Sequence, residues 1–440
     1  MRKWIGAGAA IVIVVGGGYL GAQAYSSHRF EQEMSQLVAR LDASPQWQVE
    51  RTDVDSGWFH SSGRLEARYL DDESEPVVIE APYGADHGLF ETSFSGEGQV
   101  RIGDDRTLFG DLLESDGPLT WNGRFLTREQ RMEATIALPG FSQQWTVPAG
   151  EVGGEFRPAR PMQVDFSGLT LNLTQHGDRV TLDGQAPRLQ LQDADANMLL
   201  ENLAIEGAFQ GGRQAFDQSL ALTLPTITVV SPDGAKLVSH DSRYALDAKL
   251  DAKEMTMHLE TRLGDTTMDD QQLGSGELAM TLDHIDGDAY RDLAAALEAH
   301  TSEIQAAAAS DDQDAMAQAL APLKPQLAAI FAGSPRWAVD KLALKSPLMG
   351  IDMQGNGELK FDGDGMADWH LDTMDAEALN REVLKRLDGH FELKGAPPIL
   401  LMSLGLPMSG GPLRIALDDG VMTLNDQRVP LVPGAAPAQP

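Results

Sequence analysis

The chain has 440 residues, more than one compact core accommodates, which points to several domains or an extended sheet structure. Its 66 acidic residues against 34 basic ones leave a net charge of −32, which argues against nucleic-acid binding and against adhesion to anionic lipid headgroups, both of which need an excess of Lys and Arg. Cysteine is absent, so disulfides, zinc–thiolate sites and thiol nucleophiles are excluded.

The first segment, MRKWIGAGAAIVIVVGGGYLGAQAY, opens with Arg2 and Lys3 and then carries no charge from Trp4 to Leu20. Taken to Ala24, this is about 21 residues, or roughly 31 Å of helix, enough to cross a bilayer core. Trp4 lies at one end and Tyr19 and Tyr25 at the other, as an aromatic belt requires. The positive end stays in the cytoplasm, so the body is exported. The rival reading is a cleaved signal peptide, since Ala22-Gln23-Ala24 satisfies the small-x-small rule. Both readings export the rest of the chain.

Residues 26–44 continue as a polar helix with Phe30, Met34, Leu37 and Leu41 on one stripe. It reads as a stalk that packs back on the body or lifts it from the membrane, and Pro45 ends it. Strand patterns then dominate. Turns are expected near Asp55-Ser56-Gly57, at His176-Gly177-Asp178, at Ser231-Pro232-Asp233-Gly234, at Asp362 to Gly365 and at Asp418-Asp419-Gly420. In the stretch from Gly168 to Gln192, Leu169, Leu171 and Leu173 alternate with polar residues, and Val180 and Leu182 resume the alternation after the turn. This is a hairpin with one apolar face and one wet face.

A helical block between about Asp288 and Gly333 interrupts the strands. Leu293, Leu297 and Ile304 mark one helix. Met316, Leu320, Leu323, Leu327 and Ile330 mark another, with Ser310 and Gln313 as a capping box, kinks at Pro322 and Pro325, and Gly333 as its stop. A short helix is expected from Ala376 to Leu387. The Pro/Ala-rich tail after Val432 reads as disordered.

No P-loop, GxSxG elbow or HExxH is present. Asp86-His87-Gly88 admits two readings. One is an acid-oriented general base. The other, preferred, is a turn in which Asp86 caps the chain and Gly88 takes a positive φ. Asp362, Asp364 and Asp368 only loosely resemble a calcium loop and lack the bidentate Glu, so no metal and no cofactor is expected. Trp58-Phe59 is expected to pack in the core, with a membrane or partner contact as the alternative.

Four stretches together carry a family likeness: DSGWFHSSGRL (55–65), ADHGLF (85–90), LGSGELAMTLDHIDGDAYRDL (273–293) and LAAIFAGSPRWAVDKLAL (327–344). With the N-terminal segment and DDGVMTLNDQ near the C-terminus, the chain resembles the YdgA-like family of bacterial envelope proteins. Leu89 stands where that family usually has Pro after His-Gly. The resemblance implies a single-pass inner-membrane protein with a periplasmic body, and it supplies no catalytic residues.

The expected fold is mainly β, of the α+β kind: an N-terminal transmembrane helix and an elongated, curved antiparallel sheet with a packed helical pair. The expected domains are the anchor (1–25), the stalk (26–44), an N-terminal antiparallel β region (45–287), a helical insertion (288–333), a C-terminal β region with a short helix (334–432) and the tail (433–440). The leading functional reading is a non-enzymatic periplasmic protein that holds lipid or another apolar molecule in a β groove, with Leu169, Leu171, Leu173, Val180 and Leu182 on its wall. The alternatives are an envelope scaffold or assembly factor without ligand and, remotely, a hydrolase using His87. Expected partners are the inner membrane, lipid and envelope proteins, with no nucleic acid; the oligomeric state is not read from the sequence.

Overall fold

The computed structural model describes residues 23–36, 38–39, 47–69, 77–103, 106–147, 149–152, 155–309, 313–366, 382–404, 406 and 411–429. Most of the anchor, Leu37, Leu41, Ser310, Asp368, the first half of the 376–387 segment and the tail therefore lie outside the described residues. Among the described residues no helix is long and apolar enough to cross a membrane. The chain divides into two compact units, Met1–Ala194 and Asp195–Pro440, and the division falls inside the stretch read as one β region.

In the first unit, helix α1 is described over residues 23–36 and 38–39. The strands are β1 (Trp47–Ser56), β2 (His60–Tyr69), β3 (Val77–His87), β4 (Glu91–Ile102), β5 (Arg106–Thr107), β6 (Leu119–Leu126), β7 (Arg131–Leu138), β8 (Phe141–Val147), β9 (Gly150–Val152), β10 (Glu155–Arg157), β11 (Arg160–Phe166), β12 (Leu169–His176) and β13 (Arg179–Gln192). Antiparallel pairing runs β1-β2-β3-β4-β6-β7-β12-β13-β11-β8. The core lies where α1 crosses the sheet. Phe30 and Met34, spaced one helical turn apart, pack with Tyr83, Ala85, Phe94 and Phe125. The stalk thus packs back on the sheet.

The second unit is a meander of β14 (Asn197–Gly212), β15 (Ala215–Val230), β16 (Lys236–Leu250), β17 (Glu254–Met268), β18 (Gln271–Asp286), β19 (Arg336–Ser346), β20 (Ile351–Phe361), β21 (Leu387–Lys394), β22 (Leu413–Asp418), β23 (Val421–Leu424) and β24 (Gln427–Val429), each antiparallel to the next. The predicted turns sit where Gly and Asp allow positive φ: Gly177 at 62°, Gly234 at 90°, and the pair Asp419 at 47° and Gly420 at 72°. The helical block is α2 (Gly287–Ala299), α3 (Thr301–Ala309), α4 (Gln313–Leu320), a 3-10 turn (Ala321–Leu323) and α5 (Lys324–Ala332). Asp286 caps α2 by accepting from the amides of Asp288 and Ala289. Pro322 lies in the 3-10 turn and Pro325 in the first turn of α5, so the prolines break the predicted helix into pieces. Tyr290 and Ile330 cover a cluster of Ala248, Leu250, Met255 and Ile285.

Two local expectations change. Leu387 begins a strand, and only residues 382–385 of the 376–387 segment are described as helix. The turn at Asp362–Gly365 forms, with Gly365 at φ 75°, but the strand paired with β20 is β21, reached after a longer connection.

Candidate functional site

The predicted apolar face is assembled by register. In the first unit, Phe94 faces Gly123, Gly123 faces Ala134, Ala134 faces Leu173, and Leu173 faces Leu182. A parallel row runs Trp121, Ile136, Leu171 and Gly184, and Leu169 faces Leu138. Directly opposed residues share a face, so Leu169, Leu171, Leu173 and Leu182 lie on the same side as the core under α1, and Val180, two residues from Leu182, joins them. Burial falls along the row. Ala85 and Phe94 beneath α1 are 0% and 5% exposed, whereas Leu169, Leu171, Leu173, Val180 and Leu182 are all half-buried.

The second unit repeats the pattern at greater length. An apolar row runs without a polar break from β14 to β23: Gly207, Leu220, Leu246, Leu259, Met280, Val339, Gly357, Phe391, Ile415 and Leu424. At one end Leu220 is 52% exposed, and the residues from Leu246 to Ile415 are half-buried. Leu424 is buried where the short helix Pro398–Ser403 brings Leu401 onto Leu413. Large side chains in both units lie over glycines on the neighbouring strand. A Cβ on Gly357 would sit 2.3 Å from the Phe391 ring, one on Gly123 2.5 Å from Phe94, and one on Gly96 2.6 Å from Trp121. This small-opposite-large pairing lets bulky residues lie flat along the sheet.

His87 is the other predicted position, and the structure turns it inward. It ends β3 with 3% exposure. Its Nδ1 is 3.0 Å from Thr92 Oγ1 and its Nε2 is 3.0 Å from Ser61 Oγ. Ser26 of α1 joins Thr127 Oγ1 at 2.7 Å and Thr92 Oγ1 at 3.4 Å, and Gln23 Nε2 donates to the His87 carbonyl at 2.5 Å. Phe30 closes the side of the ring at 5.6 Å between centroids. Burial lowers the imidazole pKa below its ordinary value; Glu31 opposes this, His60 adds to it, and Asp86 opposes it. Asp86 points away, exposed, and pairs with His60 Nδ1 at 3.0 Å. It does not orient His87, and it does not cap the turn as the sequence suggested. Nor does Gly88 take a positive φ; a Cβ there would lie 2.9 Å from the Glu91 carbonyl, so close approach is what requires glycine.

A serine hydroxyl at 3.0 Å from an imidazole is the contact a nucleophile needs. Here the imidazole's other partner is the Thr92 hydroxyl in place of a carboxylate, and Ser61 and Thr92 are 1% and 0% exposed beneath α1. The arrangement pairs the buried imidazole and hydroxyls with one another and fastens α1 to the sheet. None of these hydroxyl partners was legible in the sequence, because they come from segments that only the strand register brings together.

A polar cleft of about 600 Å³ lies on the second unit. Its charged lining is balanced, with Arg262, Lys341, Lys345 and Lys394 against Asp265, Glu277, Asp340 and Glu392. Glu277 alternates along β18 with Leu278, so this is the sheet face opposite the apolar row. Among the described residues no group of three or more His, Asp or Glu side chains could hold a metal ion.

The family model described as "Bacterial protein of unknown function (DUF945)" matches residues 1–404. The chain belongs to this family. The DUF945 match takes in the segment before α1, the whole first unit and the second unit as far as the helix Pro398–Ser403. No curated protein and no solved structure matches the chain.

Proposed function

We propose that this chain is a non-enzymatic, membrane-anchored protein of the bacterial envelope that holds lipid or another apolar molecule along its apolar sheet rows. The observation that carries this reading is the row from Leu220 to Ile415, continuous through directly paired residues across the bulges at Met280 and Val339, with Leu220 exposed and the others half-buried. Water-facing apolar surface of this extent is unfavourable at about 25 cal/mol per Å², a cost that an apolar ligand removes. The leucines of β12 and β13 offer the same kind of surface in the first unit. The uncharged run from Trp4 to Leu20 and the YdgA-like resemblance support an inner-membrane anchor with the body in the periplasm.

The test is lipid extraction and mass spectrometry on the purified full-length protein, alongside Leu171→Asp and Val339→Asp. Both residues are half-buried. Water reaches the new carboxylate in an open row, so each substitution is expected to cost about 1 kcal/mol or less and to lower the bound lipid. A collapse of the melting midpoint by several kcal/mol, the cost of an unpaired buried charge, would return these faces to a plain core and favour the scaffold reading.

A further inference from the structure

Trp58 and Phe59 are not in the core: they are 60% and 54% exposed at the β1–β2 turn. Phe90, at the β3–β4 turn, is 42% exposed, with the Arg128 guanidinium 3.6 Å above its ring from the β6–β7 turn. Strand register puts these three turns at one end of the first unit, because His60 faces Asp86 and Glu91 faces Leu126. The turns are tied together by backbone bonds from His87 to Phe59 and from Thr127 to Phe90.

The first described residues of α1 sit on the same end. Gln23 bonds the His87 carbonyl, Ser26 bonds Thr127, and Ser27 donates to the Gly57 carbonyl at 2.8 Å. Tyr25 beside them is 55% exposed. The exposed rings therefore surround the point at which the chain arrives from the uncharged N-terminal segment.

We propose that this aromatic end of the first unit docks on the surface of the bilayer that the N-terminal segment enters, with Trp58, Phe59 and Phe90 seated at headgroup depth and Tyr25 at the junction. The proposal rests on the reading of residues 1–25 as a membrane anchor. Trp and Tyr favour this depth because their rings bury apolar area while their polar atoms stay wet. The charges nearby, Asp55, Asp86, Glu91 and Glu129 against Arg128, Arg131 (paired with Glu129) and His60, are acidic on balance. Docking is therefore by aromatic partition, independent of anionic lipid. It would hold the first unit against the membrane, with α1 fixed to the sheet by its polar cluster.

The absence of cysteine makes the test direct. Single-cysteine full-length proteins, Trp58→Cys, Phe59→Cys and Phe90→Cys, carry a spin label and are reconstituted in phosphatidylcholine vesicles, with and without phosphatidylglycerol. Glu114→Cys, exposed in the connection at the opposite end of β6, is the control. Collision with oxygen relative to a water-soluble nickel complex is expected to rise several-fold at the three tips over the control, equally in both lipids. Tips as open to nickel as the control, in protein that floats with the vesicles and resists carbonate extraction, would overturn docking while leaving the anchor intact. Protein that does not float would overturn the anchor reading, and docking with it. Tips shielded from both reagents would mean a protein contact, with a second copy of this chain, and would also overturn the proposal.

Discussion

His87 shows how a buried titratable group behaves with no carboxylate in contact with its ring. Its ring nitrogens meet two hydroxyls, Ser61 and Thr92, which can donate or accept and so can pair with either protonation state; it is burial that disfavours the imidazolium. With its folded pKa depressed by burial, the unfolded state binds a proton more readily than the folded state. The associated stability is therefore whole above the unfolded value of about 6.5 and is lost as pH falls from there through the depressed folded value. The thermal midpoint of the full-length protein should decline over that window. His87→Gln should flatten the decline, and equal slopes in the two proteins would show that other groups carry it. His87→Ala should cost about 2–4 kcal/mol, from a small cavity and two hydroxyls deprived of a partner. The residue triplet Asp86-His87-Gly88 was visible in the sequence, but its meaning was not. Neighbours on a strand point to opposite faces, so Asp86 and His87 serve different surfaces.

At the scale of elements, α1 is held to the first unit by apolar and polar contacts that act on the same face. Phe30, 1% exposed, touches the rings of Tyr83, Phe94 and His87, and Arg51 of β1 reaches both Glu31 Oε2 at 2.6 Å and the Tyr83 hydroxyl. Phe30→Ala should cost about 3–5 kcal/mol. Hydrogen exchange should report it as lost protection in α1, β3, β4 and β6, with the second unit unchanged; loss spread evenly over the chain would show that α1 is not a local clasp. The glycines make a second test. Gly357→Ala puts a methyl against the Phe391 ring and 2.4 Å from the His390 carbonyl, and overpacking of that kind costs about 1–3 kcal/mol. At Gly177 nothing lies within 4 Å of a new Cβ, and only the φ of 62° opposes it, which costs roughly 1 kcal/mol. A urea-melt difference between the two variants measures packing apart from backbone strain. Strand alternation and the Gly-Asp turns were legible because they are local. The glycine-to-ring pairs were not, because Gly357 and Phe391 are 34 positions apart and meet only through register. Trp58-Phe59 misled for a related reason: hydrophobicity marks a residue as wanting burial, and only the turn at Gly57 shows that it projects from a strand end.

At the scale of the whole molecule, two features oppose one another. The apolar rows favour self-association, with Leu220 more than half exposed. The net charge of −32 keeps copies apart. Repulsion between like-charged molecules reaches about 30 Å at 0.01 M salt and only about 8 Å at 0.15 M, while apolar attraction is not screened. Self-association of the detergent-solubilised full-length protein should therefore increase as salt rises over that range. Leu220→Asp should suppress the increase, because it places a charge in the row at a position where water already reaches, with a stability change of about 0.5 kcal/mol or less. Added lipid should suppress it too, by covering the same surface. Sedimentation velocity across the salt series, with wild type, Leu220→Asp and lipid-loaded protein side by side, measures all three. Association that is insensitive to salt would remove charge repulsion as the restraint. Association that rises with salt equally in Leu220→Asp and in the lipid-loaded protein would place the sticky surface elsewhere than on the apolar rows.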